Sequence, residues 1–175
     1  METILAQLGA ERLDVPVLQP ADPFLDTAGE ELRRRIFLSE SETGEMLCLR
    51  PEFTIPVCLQ HIGAGETGHR RYGYVGTVFR QRRAGGNEFL QAGIEDIGDN
   101  DPARADARSL ADALAFLAAL GVTGQTTVTL GDQAVFNAVV TGLGLPQSWA
   151  VRLSHAFGDR RSLDTALEAL AHPSP

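Results

Sequence analysis

Residues 71–98 decide the fold, and they read RYGYVGTVFRQRRAGGNEFLQAGIEDIG. Aromatic and β-branched residues stand on both sides of a polar, glycine-bearing loop, a pattern typical of two strands in a hairpin. We expect the first strand at residues 72–81, a loop centred on residues 83–87, and the second strand at residues 88–97. The chain is therefore predicted to be built around an antiparallel strand pair.

The two faces of the second strand differ in chemistry, because side chains alternate sides along a strand. The face that we expect to contact the core is apolar and consists of Leu90, Ala92 and Ile94. The opposite face carries an amide and a carboxylate, Gln91 and Glu95, on either side of Gly93, and the glycine is expected to leave a side-chain-sized gap between the two polar groups. Unpaired polar groups are costly in a core, so this face suggests a site for a small ligand with an amino group. A solvated face of an antiparallel strand shows the same pattern, and both interpretations stay open.

Arg80 ends the first strand on the face that also carries Tyr74 and Gly76. If the hairpin register places that face beside Gln91 and Glu95, the cluster gains a cation. A structural ion pair between Arg80 and Glu95 is the alternative.

The residues before this hairpin alternate between helical and extended patterns. A helix, a strand with a proline at residue 16, a second hairpin and another helix are expected, at residues 1–9, 11–18, 33–49 and 52–62. The last of these helices places Glu52 and Thr54 at its N-terminus, where their side chains would cap it.

The residues after the hairpin predict mostly helix. Asp101 and Pro102 begin a helix whose leucine stripe we expect to be core, namely Leu110, Leu114, Leu117 and Leu120. A short strand is expected at residues 126–130, and further helices around residues 134–140, 149–157 and 163–170. We therefore predict a core at residues 1–121 and a strand plus helical segment at residues 122–175, the start of an inserted segment or second half that is truncated.

Composition excludes several classes of protein. The chain has 175 residues and a net charge of −8, and all 15 of its basic residues are arginine. That charge gives no overall attraction to nucleic acid, although Arg33–Arg35 and Arg80–Arg83 leave room for a local basic patch. Cys48 and Cys58 fit no metal-ligand spacing, and neither a membrane span nor a signal peptide is expected. We expect a cytoplasmic protein without metal or cofactor.

Three segments resemble a known family. Residues 77–80, TVFR, and 89–95, FLQAGIE, resemble motif 2 of class II aminoacyl-tRNA synthetases in its histidyl-tRNA synthetase form, and residues 49–54, LRPEFT, resemble another segment of those enzymes. The resemblance is closer to the regulatory subunits of ATP phosphoribosyltransferase, on residues 49–57, 130–132 and 145–149. It implies an α+β fold with an antiparallel sheet flanked by helices, of which this chain holds the N-terminal half.

The resemblance also implies a site and partners. The residues that match the histidine-binding positions of the family are Glu52, Thr54, Arg80, Gln91 and Glu95. The predicted helix and strand at residues 1–18 match motif 1, which implies a homodimer. The resemblance further implies a short-form catalytic subunit as partner and L-histidine as effector.

One departure from the synthetase pattern bears on activity. The synthetases carry a glutamate two residues after the motif 2 arginine, and this chain has Arg82 there. No motif 3 arginine follows either, so we expect a non-catalytic regulatory subunit that acts in the first step of histidine biosynthesis and in its feedback regulation. A fragment of a true histidyl-tRNA synthetase is the alternative.

Overall fold

A computed structural model describes residues 1–122, 124 and 126–172. The chain forms two compact units, Met1–Gly124 and Gln125–Pro175, and each is described by itself. The division of domains expected after residue 121 stays a prediction, and the end of the predicted second segment, residues 173–175, lies outside the described residues.

The first unit mixes helices with two small sheets. Its strands are β1 (Glu11–Arg12), β2 (Leu18–Pro20), β3 (Leu38–Glu40), β4 (Met46–Leu49), β5 (Arg70–Phe79) and β6 (Glu88–Ile97). Its helices are α1 (Glu2–Gln7), α2 (Asp22–Thr27), α3 (Glu30–Arg33), α4 (Thr54–Gly63) and α5 (Pro102–Ala119). Most of these elements are short, so tertiary packing rather than intrinsic propensity stabilises them.

The central hairpin is present as an antiparallel β5–β6 pair. The register sets Gly76 opposite Gln91 and Tyr72 opposite Glu95. The second strand has the predicted bounds, whereas the first begins and ends two residues earlier than predicted. It ends there because the Gln81 backbone N–H turns away and donates to the Arg35 carbonyl at 2.8 Å. Strand β1 adds to the other edge of β5 in the parallel direction.

A second sheet has the strand order β2-β4-β3 and is antiparallel throughout. The β3–β4 pair confirms the hairpin predicted upstream, but the extended conformation expected from residue 33 is wrong. Residues 30–33 form α3 instead, because Glu30 and Glu31 lie at helical spacing from Arg34 and Arg35 and pair with them.

The strand predicted at residues 11–18 is also largely wrong. Only Glu11–Arg12 and Leu18–Pro20 pair with other strands, and the residues between them are irregular. Pro16 has no N–H to give to a ladder. The carbonyls of this segment are instead satisfied by side chains, since Arg50 donates to Val15 and Gln19 donates to Pro16 at 2.7 Å.

The core lies on the face of β5–β6 that was predicted to be polar. It consists of Val15, Phe53, Val57, Tyr72, Tyr74 and Val78, with Leu13, Phe89 and Ile97 packed against it. The prediction that Leu90, Ala92 and Ile94 face the core is therefore wrong. Leu90 is 53% exposed, and its face looks toward α1 and α5. The three large side chains that β5 contributes to this core determine which face of the hairpin is covered. The sequence pattern of β6 alone does not contain that information.

Helix α5 begins at the predicted residue and has its predicted cap, since the Asp101 carboxylate accepts from the Arg104 backbone N–H at 3.1 Å. Its leucine stripe is not core, and this prediction is wrong for the described chain. Leu110, Leu114 and Leu120 are 37%, 40% and 47% exposed. A helical period predicts that residues share a face, but it does not supply the surface that covers them.

The second unit contains α6 (Gln133–Gly142), α7 (Gln147–His155) and α8 (Arg160–Ala171). These confirm the three predicted helices, which pack around Val140, Leu153 and Ala166. The predicted strand at residues 126–130 is wrong, because these residues pair with no strand. No helix within the described ranges combines the length and the apolar character needed to cross a bilayer.

Candidate functional site

The start of α4 holds the first two candidate residues. Glu52 is 9% exposed, and its carboxylate accepts from the backbone N–H groups of Thr54 at 2.6 Å and Ile55 at 2.9 Å. Both carboxylate oxygens are thus used to cap the helix, as its position predicts. Thr54 is exposed, so its hydroxyl is free to reach the neighbouring strand.

Glu95 is the point where α4 meets the hairpin. Its Oε1 atom accepts from the Thr54 hydroxyl at 2.8 Å and from the Tyr74 hydroxyl at 3.2 Å. Burial raises the pKa of Tyr74, and the neighbouring Glu95 carboxylate raises it further. The Tyr74 hydroxyl therefore stays protonated and acts as a donor, and Glu95 Oε1 has two donors from the protein.

The gap expected above Gly93 is filled by the Tyr74 ring. A Cβ at Gly93 would lie 2.4 Å from the Tyr74 hydroxyl oxygen, so only glycine admits the ring. On its other side the ring stacks on Phe53, with centroids 4.3 Å apart and planes within 7°. Tyr74 thus lies between the positions of Gln91 and Glu95, and a ligand would have to contact that ring.

Gln91 carries a buried acceptor without a partner. It lies opposite Gly76 in the register, on the face that also carries Glu95. Its Oε1 atom is buried and accepts no hydrogen bond from any described residue. Such an atom costs free energy when it stays unpaired, so this is the position in the cluster that calls for an external donor.

Arg80 lies at the other end of the cluster. Its Nε donates to the Pro51 carbonyl at 2.7 Å, next to Glu52, and its backbone N–H donates to the Asn87 carbonyl at 2.8 Å. Burial lowers the pKa of Arg80, and the nearby Glu52 carboxylate opposes that effect. No carboxylate of the described chain lies within 4.0 Å of Arg80, so the alternative of an ion pair with Glu95 is not formed.

The structure therefore brings the five candidate residues to one side of the sheet. Thr54 and Glu95 are hydrogen-bonded to each other, Arg80 contacts the Pro51 carbonyl next to Glu52, and Gln91 lies opposite Gly76. The roles of Glu52 as a cap and of Arg80 as a brace on Pro51 are visible in the geometry. A ligand-binding role for these five residues remains a prediction.

Sequence reasoning missed Arg50, Phe53 and Tyr74. Arg50 is 5% exposed and donates to the carbonyls of Val15 and, at 2.7 Å, Thr77. Its guanidinium also lies 4.1 Å from the centroid of the Phe53 ring. Arg50 therefore connects three separate segments of the chain beneath the cluster, namely its own and those of Val15 and Thr77. The available signal was Arg50 within LRPEFT, but its partners are main-chain carbonyls, which carry no sequence signature.

A separate charged network lies at the far end of the hairpin. His69, Asp96 and Asp99 place ligand-type atoms within 4.8 Å of one another. Arg108 already bridges both carboxylates, at 2.6 Å from Asp96 and 2.7 Å from Asp99, and Arg71 also pairs with Asp96. The arginines already neutralise the carboxylate charges that a metal ion would require from its ligands, so we interpret this group as structural.

Comparison with known proteins identifies the family. A family model described as histidyl-tRNA synthetase matches residues 1–174. Three curated relatives, each named ATP phosphoribosyltransferase regulatory subunit, are similar over nearly the whole chain. They come from Rhizobium rhizogenes (62% identity, 94% of this chain and 44% of the relative), Mesorhizobium japonicum (60%, 97% and 46%) and Allorhizobium ampelinum (63%, 96% and 45%). The chain thus spans a little under half the length of the curated relatives it matches.

Two solved structures share the fold. An ATP phosphoribosyltransferase regulatory subunit/histidyl-tRNA synthetase from Bacillus halodurans superposes with a TM-score of 0.64 at 19% identity, over 95% of this chain and 52% of that chain. A histidine–tRNA ligase subunit from Alicyclobacillus acidocaldarius gives 0.71 at 22% identity, over 99% and 50%. The predicted α+β, class II synthetase-like fold is confirmed, and so is the resemblance to the regulatory subunits. The chain belongs to the histidyl-tRNA synthetase family.

Proposed function

We propose that this chain acts in a non-catalytic regulatory subunit of ATP phosphoribosyltransferase, in the first step of histidine biosynthesis. Identity of 60–63% to three proteins of that name supports the assignment. The subunit would bind the short-form catalytic subunit and form a homodimer through α1 and β1. Cys48 and Cys58 are both free thiols, which supports a place in the reducing cytoplasm.

In this proposal L-histidine is the effector and binds beside Tyr74. The observation that carries the site is the buried, unpaired Gln91 Oε1 atom on the face that also carries the Glu95 carboxylate. Residues four apart on a strand are roughly 13 Å apart at Cα, and their side chains can lean inward. That span suits a ligand with donors at both ends, such as the α-ammonium and the imidazole of histidine.

The proposed absence of catalysis rests on Arg82. Its guanidinium lies 4.0 Å from the centroid of the Phe89 ring, where the synthetase pattern has a glutamate. A cation–π contact covers one face of that ring, and a guanidinium is no acceptor for an adenine amino group. These features favour the regulatory subunit over the alternative, a histidyl-tRNA synthetase, as do the names of the relatives.

Calorimetric titration of the chain with L-histidine tests the site. Gln91→Met keeps the length of the side chain but removes the acceptor, and Glu95→Gln removes the charge. We expect each change, like Glu52→Gln and Arg80→Ala, to weaken binding by about 1–3 kcal/mol, the scale of a charged hydrogen bond. Gln133→Met, an exposed glutamine of the second unit, is the matched control and should leave the affinity unchanged. Equal affinities for Gln91→Met and Gln133→Met would contradict the site.

The partner is tested separately, by co-elution of the chain with the short-form catalytic subunit of the same organism in size-exclusion chromatography. A variant that still forms the complex but no longer binds histidine would show that the two parts of the proposal are independent. ATP–pyrophosphate exchange that depends on histidine would support the synthetase alternative instead, because only adenylate formation requires it.

A further inference from the structure

Three planar groups form a continuous stack beside the proposed histidine site. The Arg50 guanidinium lies 4.1 Å from the centroid of the Phe53 ring, and the Phe53 and Tyr74 centroids are 4.3 Å apart with planes within 7°. Two planar groups this close to one ring would overlap if they shared a face, so Arg50 and Tyr74 lie on opposite faces of Phe53. The order of the stack is therefore Arg50, Phe53 and Tyr74.

Main-chain carbonyls hold the Arg50 end of the stack. Its Nη1 donates to the Val15 carbonyl, and its Nη2 donates to the Thr77 carbonyl at 2.7 Å. Because a guanidinium is a planar and rigid fork of donors, two carbonyls on separate segments fix both its position and its plane. A lysine ammonium carries a compact charge on a flexible stem and has no plane to fix.

The charge of Arg50 has no anion beside it. Arg50 is 5% exposed, burial lowers the pKa of its guanidinium, and no carboxylate of the described ranges lies within 4.0 Å of it. Its Nε atom also has no hydrogen-bond acceptor among the residues that the structure describes. Burying a cation without a paired anion is unfavourable. Stability alone therefore does not explain why an arginine, rather than an apolar residue, occupies this position.

Two glycines make room for the stack. A Cβ at Gly76 would lie 2.9 Å from Phe53 Cζ and 3.0 Å from Arg50 Nη2. Gly93, on the neighbouring strand, leaves the space that the Tyr74 ring fills. The stack thus lies directly against the main chain of the hairpin, which leaves its members little freedom to shift independently.

The other end of the stack holds a carboxylate of the proposed site. The Tyr74 hydroxyl donates to Glu95 Oε1 at 3.2 Å, and the Thr54 hydroxyl donates to the same atom at 2.8 Å. The orientation of the Glu95 carboxylate therefore depends on where the Tyr74 ring is held. Arg50 is not one of the five candidate residues, and the hydrogen bonds that it donates all go to main-chain carbonyls.

We propose that Arg50 is a positioning residue of the histidine site. It acts through Phe53 and Tyr74, and it sets the orientation of the Glu95 carboxylate without contacting the ligand. This inference rests on the proposed function, since it adds a residue to that site. An arginine with a purely structural role would affect stability but would leave the ring stack and the affinity of the folded chain unchanged.

Calorimetric titration of the full chain with L-histidine tests the proposal. Arg50→Lys keeps the charge but removes the planar fork, and Phe53→Leu keeps an apolar side chain but interrupts the stack. We expect each change to weaken histidine binding about tenfold, the scale for residues that influence a site without contacting its ligand. The double variant should bind no more weakly than the weaker single variant, because both changes break the same unit.

Arg160→Lys and Phe136→Leu are the matched controls. Arg160 is exposed, and Phe136 contacts Phe157 within the second unit, with ring centroids 4.8 Å apart. Neither change should alter the affinity. Equal losses in Phe53→Leu and Phe136→Leu, or fully additive losses in the double variant, would overturn the proposal. Circular dichroism spectra and thermal midpoints establish that each variant is folded.

The Tyr74 ring provides a measurement that does not need histidine. The chain has two tyrosines, so Tyr72→Phe assigns the NMR signals of a chain labelled with ring-¹³C tyrosine. The Phe53 ring current shifts the Tyr74 signals in the parent, and Arg50→Lys should move them toward those of an unstacked tyrosine. Unchanged Tyr74 signals in this variant would contradict the role of Arg50. A parent chain that fails to bind histidine, while its Tyr74 signals do respond to Arg50→Lys, would refute the histidine site of the proposed function and support the link from Arg50 to Tyr74.

Discussion

At the scale of single residues, the cluster around Tyr74 shows how one side chain can serve both packing and recognition. The ring is fixed by Phe53 on one face and by Gly93 on the other, while its hydroxyl holds Glu95. The sequence indicated a gap at Gly93, but it did not indicate what fills it. Only the register, which sets Tyr74 opposite Gly93, supplies that answer.

Gly93→Ala tests whether the ring needs that glycine. The new methyl group would lie within 3 Å of the Tyr74 ring, so the ring or the strand must shift. We expect a loss of about 1–3 kcal/mol in the free energy of unfolding, the usual cost of overpacking a core. Urea unfolding followed by circular dichroism measures it.

Gly63→Ala is the control for this change. Gly63 is the last residue of α4, and a Cβ there meets nothing within 4 Å. Alanine at that position should leave the stability unchanged or raise it, because it reduces the entropy of the unfolded chain. A similar loss in both variants would contradict the role assigned to Gly93.

At the scale of elements, hydrophobic periodicity and capping residues predict well where helices and strands lie. They predict less well which other surfaces pack against those elements. The bounds of β6 and the cap of α5 followed from alternation and from Asp101. Which face of β6 is covered did not follow from the sequence, because apolar residues lie on both faces of the strand. Likewise the pattern at residues 11–18 is that of a strand, but Arg50 takes the carbonyls that a neighbouring strand would use.

The leucines of the first unit test this distinction. Leu5 of α1 is 5% exposed, whereas Leu114 of α5 is 40% exposed. Leu5→Ala should lower the free energy of unfolding by about 2–5 kcal/mol, as for a buried leucine. Leu114→Ala should cost about 1 kcal/mol or less, because part of its surface already contacts water.

Chemical denaturation of the two variants under identical conditions gives the comparison. Equal losses would show that α5 is covered in solution, for example by a second copy of the chain. Repeating the measurement at tenfold different protein concentrations separates that case from burial within one molecule.

At the scale of the whole molecule, the charged network at the far end of the hairpin links the free energy of unfolding to pH. Burial would raise the pKa of Asp96, but hydrogen bonds from His69 and Arg108 outweigh burial and hold the pKa below its usual value. The Asp101 backbone N–H and then Arg104 lower the pKa of Asp99. Both carboxylates therefore bind protons less readily in the folded chain than in the unfolded chain.

The sign of the pH dependence follows from linkage. A carboxylate with a lowered pKa in the folded state stabilises the fold above its unfolded pKa of about 3.9. That stabilisation is lost as the pH falls through the folded value. We expect the urea midpoint to stay nearly constant from about pH 7 to 5 and to fall steeply below about pH 4.

Asp96→Asn should be less stable at neutral pH and should lose less on acidification, because one of the linked carboxylates is gone. Asp106→Asn is the control, since the Asp106 side chain is exposed and lies outside the ion pairs of the described chain. A pH profile of Asp96→Asn parallel to that of the parent would contradict the assignment of the acid transition to this network.

The overall fold class and the family were predictable because the motifs are local in sequence and their residue types are unusual. The assignment of roles within the cluster was less predictable, since Glu52 and Arg80 also have structural partners in the main chain. Such partners are set by tertiary geometry, and no residue pattern records them.

Strand β6 ends the sheet order β1-β5-β6. Along its ten residues, every second pair of main-chain N–H and C=O groups points away from β5 and meets no strand among the described residues. That row is a template on which another extended segment can be added without rearranging the hairpin. An addition there would extend the surface on which Gln91 and Glu95 stand.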